Sequence, residues 1–250
     1  MSQASPIYAI GDIHGQLAAF ENALSVIEKD AGSEAEIVLI GDLADRGPES
    51  RRVIELVMEL MRAGKNMTVI KGNHDRMFDY FMQSPPRHDP CFRVGYHWFH
   101  EALGGKETMA SYGVAVDETM TLNEVHERAL EMVPEAHVAF LRSLPLSHQS
   151  GNIFFAHAGI RPNVPLDRQE ENDLVWIRQE FLNFTDPHPK LIVHGHTSIN
   201  APTYYGNRIN LDGGAGYGRP LIPVAIEGRD RKSTRLNSSH SQQSRMPSSA

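Results

Sequence analysis

The sequence predicts an α/β fold with a largely parallel sheet, on three observations. Short runs of branched apolar residues recur, each ends in a polar loop containing glycine, and each loop leads into apolar residues at helical spacing. The runs Ile7-Tyr8-Ala9-Ile10, Ile37-Val38-Leu39-Ile40 and Met67-Thr68-Val69-Ile70 read as buried strands. After the first, Leu17, Phe20, Leu24 and Ile27 share a helical face. After the second, a helix is expected from Glu49 to Met61, with Val53, Ile54, Val57 and Leu60 on its apolar side. Pro48 is placed to open that helix and Gly64 to close it. The third run ends in Gly72-Asn73-His74-Asp75, which opens another helix.

The chain returns to strands at Ile153-Phe154-Phe155-Ala156 and Leu191-Ile192-Val193, with further β-segments at 203–205, 208–211 and 221–226. Between these halves, residues 84–145 form a less regular insertion. Prolines mark a loop over 84–90, short helices are expected from Tyr96 to Tyr112, and Glu135 to Leu144 reads as helical behind Pro134. The insertion is read as mainly helical and as lying beside the active-site edge.

Composition sets the class. At 250 residues, 40% hydrophobic and 22% charged, the chain has the makings of a soluble protein with a sizeable core. One domain over residues 1–228 is expected. The net charge is −7. Residues 229–250 carry five Lys and Arg against one Asp, which leaves −11 on 1–228. A body so acidic argues against a nucleic-acid partner. The lone Cys91 excludes an internal disulfide and suits a reducing compartment. With no signal-like run and no membrane-length apolar stretch, the expectation is a cytoplasmic protein without a membrane partner. The tail from 229, rich in Ser, Gln and Arg, cannot bury enough surface to offset its ordering entropy. It is similar to a translated cloning adapter and is placed outside the fold as a disordered segment.

The chemistry-bearing residues lie in the loops that follow strands: Asp12, His14, Asp42, Asn73, His157 and His196. A parallel sheet brings such loops to one edge. Taken singly, Asp and Asn at a strand–helix junction more often cap the helix. Taken as a set, oxygen donors mixed with imidazoles and no thiolate suit Mn, Fe or Zn, and the ligands outnumber the needs of one ion. His194 precedes His196 by two residues and is read as a supporting residue. Cys91 with His88, His97 and His100 matches no standard zinc spacing.

The blocks Gly11–Gly15 (GDIHG), Gly41–Gly47 (GDLADRG), Gly72–Asp75 (GNHD), His157 within FFAHAGI and Gly195–Thr197 (GHT) resemble the calcineurin-like metallophosphoesterases. Within them the chain is most similar to the bacterial branch of the phosphoprotein phosphatases, from Ile7 to Gly228. The resemblance implies a four-layered α/β/β/α sandwich and two divalent metal ions, Mn foremost with Fe and Zn as the other candidates. It implies that Asp12, His14 and Asp42 bind one metal, that Asp42 bridges to the second, and that Asn73, His157 and His196 complete the second. It further implies His74 as general acid oriented by Asp45, Arg46 and Arg178 as phosphate-binding residues, and a metal-bridging hydroxide as the attacking group. The expected function is hydrolysis of phosphomonoesters on Ser, Thr or Tyr of a phosphoprotein or phosphopeptide substrate. The second reading is a nucleotide enzyme resembling the symmetrical diadenosine tetraphosphate hydrolases, which often lack the aspartate found here at Asp45. A non-catalytic scaffold is the third. The departures are small: Ala44 replaces a bulkier residue, Asp75 stands for a common glutamate, and Ser198 stands where the wider superfamily often has a metal-binding histidine. Gly213-Gly214 has no functional reading, and the oligomeric state is left open.

Overall fold

The structure, a computed structural model, describes residues 6–117 and 119–226, together with the backbone of 227 and of 235–238. In chain order the elements are β1 (Ile7–Ile10), α1 (Leu17–Ala31), β2 (Glu36–Leu39), α2 (Ser50–Arg62), β3 (Met67–Val69) and α3 (Asn73–Phe81). The insertion contributes α4 (Gly105–Ser111), α5 (Leu122–Met132) and α6 (Glu135–Ser143). Then follow β4 (Ser147–Ser150), β5 (Ile153–Ala156), α7 (Glu171–Trp176), α8 (Gln179–Leu182) and β6 (Leu191–His194). The chain continues with β7 (Thr203–Tyr204), β8 (Arg208–Asn210), β9 (Val224–Glu227) and β10 (Arg235–Ser238).

The strands divide between two sheets, ordered β10-β9-β1-β2-β3 and β4-β5-β6-β8-β7. The first is parallel through β1-β2-β3 and antiparallel at β9 and β10; the second is parallel through β5-β6-β8 and antiparallel at both margins. Strand alternation explains how they stack. Ile7, Ala9, Val38 and Ile40 point inward from the first sheet and meet Ile153, Phe155, Leu191, Val193 and Ile209 of the second in one buried cluster. Their neighbours Tyr8, Ile10, Ile37 and Leu39 point outward and pack with α1 and α2 through Phe20, Ile27, Val53 and Val57. On the far side, Phe154 and Ile192 pack against Leu174 and Val175 of α7 and Phe181 of α8. Each fully buried side chain of this kind is worth about 1.5–3 kcal/mol. The architecture is therefore the four-layered α/β/β/α sandwich, with both parallel cores delivering their strand ends to one edge. Among the described residues, no helix is long and apolar enough to cross a membrane.

Several local expectations change. Pro48 lies two residues before the first helical residue, Ser50, because Glu49 takes the cap position. The expected helices between Tyr96 and Tyr112 reduce to α4, with turns before it. Strand β4 escaped the sequence pattern because Ser147-His148-Gln149-Ser150 is polar and only half-buried; as an edge strand it pairs through its backbone with β5. The tail shows the same effect. Arg235–Ser238, placed outside the fold on composition, pairs antiparallel with β9, since a backbone ladder needs no apolar side chains. The rest of 228–250 lies outside the described residues.

Candidate active site

The loop after β1 and the loop after β2 interlock. The backbone N–H groups of Ile13 and His14 both donate to the carbonyl of Asp42, at 3.1 and 2.8 Å, and Gly15 N–H donates to that of Leu43. Gly72 closes the arrangement from the β3 loop: a Cβ there would lie 2.1 Å from Asp42 Oδ1. Asp75 secures the same turn, its carboxylate accepting from the N–H groups of Asp42, Leu43 and Gly72 at 2.8–2.9 Å. Of the six non-glycine residues with positive φ among the described residues, five are site residues: His14, Asp42, Asp45, Arg46 and His196. Such backbone costs on the order of 1–3 kcal/mol per residue and persists only where its surroundings hold it.

All six expected metal ligands come together. Asp42 Oδ2 lies 3.4 Å from His157 Nε2, 3.6 Å from His14 Nε2 and 4.0 Å from His74 Nε2. Asn73 Oδ1 lies 2.9 Å from His157 Nε2 and 2.8 Å from His196 Nδ1. Asp12 accepts the backbone N–H of His196 and leaves no space for a side chain at Gly195. Asp12, Asp42 and His157 form one group with metal-ligand spacing; His14, Asp42 and His74 form another. Neither contains Cys91, His88, His97 or His100.

The protonation pattern fits a cation. His14 Nδ1–H donates to the carbonyl of Ala44 and His157 Nδ1–H to that of Ile40, so in each neutral ring Nε2 carries only a lone pair. Burial pushes His157 down to about 3, which keeps it neutral. Its bare Nε2 therefore faces Asp42 and the Asn73 carbonyl oxygen, and with Asp42 ionised the three groups offer only lone pairs to one another. Anchoring an imidazole through its other nitrogen is how metal-ligating histidines are held. Burial, followed by repulsion from Asp212 and Asp42, raises Asp12 well above the usual carboxylate range; burial and Asp75 raise Asp42 likewise. A divalent cation would relieve both. Asp12, His14, Asp42, Asn73, His157 and His196 thus suit the divalent ions that the motifs imply.

Beside them lies the His74–Asp45 pair. His74 Nδ1–H donates to Asp45 Oδ2 at 2.7 Å, and His74 Nε2 accepts from Arg46 at 3.2 Å. Burial and the Arg46 charge hold His74 well below the usual imidazole range. Burial lifts Asp45 to about 7, against hydrogen bonds from Thr108 and Trp98 and the charge of Arg46. Arg46 also donates to His14 Nε2 at 2.5 Å and lies under the Tyr217 ring, 4.8 Å from its centroid. Arg178 donates to Thr197 Oγ1 at 3.2 Å and lines the same cavity, of about 770 Å³, as Arg46, His74 and His196. His194, read as supporting, is buried: its Nε2 accepts from Arg208 at 3.1 Å.

Residue patterns did not single out Trp98, Thr108, Asp212 or Tyr217. Asp212 follows the last short strand of its sheet by two residues, a signal of the same kind as the others. Gly216 has an account only in space: a Cβ there would lie 2.7 Å from His14 Cδ2 and 2.9 Å from Arg46 Cδ.

Fold and site together define a phosphohydrolase built to work with divalent metal ions. Residues 5–217 match the family model of the calcineurin-like phosphoesterases, and the chain belongs to that family. It is 26% identical over 242 residues to the bis(5′-nucleosyl)-tetraphosphatase PrpE [asymmetrical] of Bacillus mycoides (strain KBAB4), covering 85% of this chain and 87% of that protein. Among solved structures it is similar to one provisionally named a diadenosine tetraphosphatase, with TM-score 0.62, 22% identity and 94% of each chain covered. A protein serine/threonine phosphatase from Saccharomyces cerevisiae aligns with TM-score 0.58 at 14% identity, over 95% of this chain and 80% of that one. Both likenesses are of fold.

Proposed function

We propose that this phosphoesterase hydrolyses bis-nucleosyl polyphosphates, with Arg46 and Arg178 gripping the reacting phosphate and His74 protonating the leaving oxygen. The observation that carries this reading is the gathering of guanidinium groups on one cavity. Arg46, Arg93 and Arg178 line it together, beside a fourth arginine, Arg161, that is ion-paired with Asp173 and Glu180. The charges of Arg46 and Arg93 both lower the Arg178 pKa, after burial. One phosphate is satisfied by one or two planar forks; a third suits a run of phosphates. Phe92, Tyr96, Trp176 and Tyr217 line the same cavity and offer ring faces to nucleobases. The name of the Bacillus relative, matched along most of both chains, supports the same reading.

The residues divide the work as follows. Two divalent cations held by the six ligands, Mn foremost with Fe and Zn as alternatives, would acidify the attacking water and offset phosphate charge. In the free protein His74 Nε2 accepts from Arg46. A phosphate that draws the Arg46 fork to itself removes that donor and adds negative charge, and both effects favour a proton on Nε2. Asp45 keeps the other ring proton on Nδ1 and offsets the imidazolium charge. The proton on Nε2 then passes to the leaving oxygen, a step worth about 10²–10⁴-fold.

The second reading is the phosphoprotein one, and the buried His74–Asp45 pair favours it. A Ser or Thr alkoxide needs a proton far more than a nucleotide phosphate does, so a built acid has greater use on phosphoproteins. The decisive experiment gives the Mn-loaded protein diadenosine tetraphosphate beside a phosphoserine, phosphothreonine and phosphotyrosine peptide panel. A preference above about tenfold in kcat/KM, ~1.4 kcal/mol of transition-state discrimination, assigns the class either way. ATP and AMP as products would mark asymmetric cleavage of the dinucleotide; two ADP would mark the symmetric kind. A protein that binds no divalent ion and turns over neither substrate would instead be the scaffold. The single Cys91 remains the ground for placing the chain in the cytoplasm.

A further inference from the structure

We propose that Trp98 and Thr108, both supplied by the insertion, are positioning residues for the His74 acid and act on it through Asp45. The inference rests on the reading of His74 as the acid.

Asp45 is fully buried, and the insertion holds both of its carboxylate oxygens. Oδ2 is shared between His74 Nδ1–H at 2.7 Å and the Trp98 indole N–H at 2.8 Å. Oδ1 accepts the Thr108 hydroxyl at 2.6 Å. The same hydroxyl oxygen accepts Asp45's own backbone N–H at 2.8 Å, so one threonine grips the residue at both ends. The grip has something to hold: Asp45 and Arg46 are consecutive non-glycine residues at φ 73° and 66°. Gly104 of the insertion adds a third tie, its carbonyl accepting Arg46 N–H at 3.2 Å, and a Cβ at Gly104 would lie 2.3 Å from that nitrogen. Trp98 is itself fixed to the acid's helix. Its ring stacks on Phe78 of α3 at 5.2 Å, and His74 lies in the first turn of the same helix. Without the indole N–H or the hydroxyl, the Asp45 carboxylate loses one of the donors that fix its plane, and the imidazole is aimed by a partner less firmly held.

The test compares Trp98→Phe, Thr108→Val and the conservative Thr108→Ser with His74→Asn on two phosphomonoesters, a phosphoserine peptide and 4-nitrophenyl phosphate. The aryl leaving group needs little protonation and the alkyl one needs much. The readout is the alkyl-to-aryl ratio of kcat. His74→Asn is expected to lower that ratio at least tenfold, Trp98→Phe and Thr108→Val three- to tenfold, and Thr108→Ser is expected to restore it. A second readout is the NMR resonance of the His74 Nδ1 proton, which should move in Thr108→Val and return in Thr108→Ser. Should Trp98→Phe fail to fold, the two threonine variants decide. If His74→Asn lowers the ratio while Trp98→Phe and Thr108→Val reduce both substrates equally, the positioning inference is overturned and the acid reading stands. If His74→Asn leaves the ratio unchanged, the acid reading falls and takes the inference with it.

Discussion

Oδ2 of Asp42 faces Nε2 of His157 across 3.4 Å, and that nitrogen carries no proton in the neutral ring, because Nδ1–H of His157 is committed to the Ile40 carbonyl. With Asp42 ionised, two acceptors held this close in a buried site call for positive charge between or beside them. The relationship makes Asp42 the centre of the site, with three imidazole nitrogens within 4.0 Å of one oxygen.

Asp42→Asn should therefore lose both metal and activity. Elemental analysis of the purified variant is expected to show less than one equivalent of divalent metal where the wild type, after Mn loading, carries two. Stripping the wild type with a chelator should lower its Tm, since a ligand bound only to the folded state at about 100 times its Kd contributes about 2.7 kcal/mol. Unchanged metal content in Asp42→Asn would refute this placement.

His74→Asn should behave differently. Its ring nitrogen lies 4.0 Å from Asp42 Oδ2, beyond the other two imidazoles, and its Nδ1 is engaged by Asp45. Metal content should stay intact while turnover of an alkyl phosphomonoester falls by about 10²–10⁴-fold. Full activity on that ester would show that His74 is not the acid.

Arg46→Lys keeps the charge and loses the fork. Arg46 reaches His14 and His74 with different nitrogens of one planar group, a geometry that an ammonium cannot reproduce. Steady-state kinetics should show kcat/KM reduced at least about tenfold, ~1.4 kcal/mol, with metal content preserved.

Gly216→Ala tests the glycine-rich loop. The added methyl would press on the His14 ring and the Arg46 side chain at 2.7–2.9 Å. Overpacking of this kind costs about 1–3 kcal/mol. The Mn-loaded variant should melt several degrees lower and bind Mn more weakly, readable by calorimetry.

The pH dependence of stability should carry a signature of His194. Burial, aided by Arg208, pushes this imidazole down to about 3 from the usual 6.5. The unfolded chain thus takes up the proton first, so the stability it contributes is present above pH 6.5 and is lost as pH falls toward about 3. His194→Asn should lower stability at pH 7 but show a smaller further loss between pH 6.5 and 4 than the wild type. Denaturant melts at a series of pH values check it.

The sequence by itself determined the phosphoesterase class and where its candidate residues lie in the fold. Asp12, His14, Asp42, Asn73, His157 and His196 were legible because each sits in a glycine-bearing loop straight after an apolar run, and that pairing of signals is local. Strand identity was legible for the same reason at β1, β2 and β5, where burial on both faces leaves continuous apolar runs. Only the tertiary structure decided what depends on residues far apart meeting. The division into two sheets turns on which strand pairs with which, and the polar edge strand β4 is defined by its partner rather than by its own side chains. Trp98 and Thr108, 53 and 63 residues from Asp45, look in sequence like any aromatic and any hydroxyl. Their role exists because a buried carboxylate must find donors wherever the chain folds back to supply them, and that requirement leaves no periodic trace.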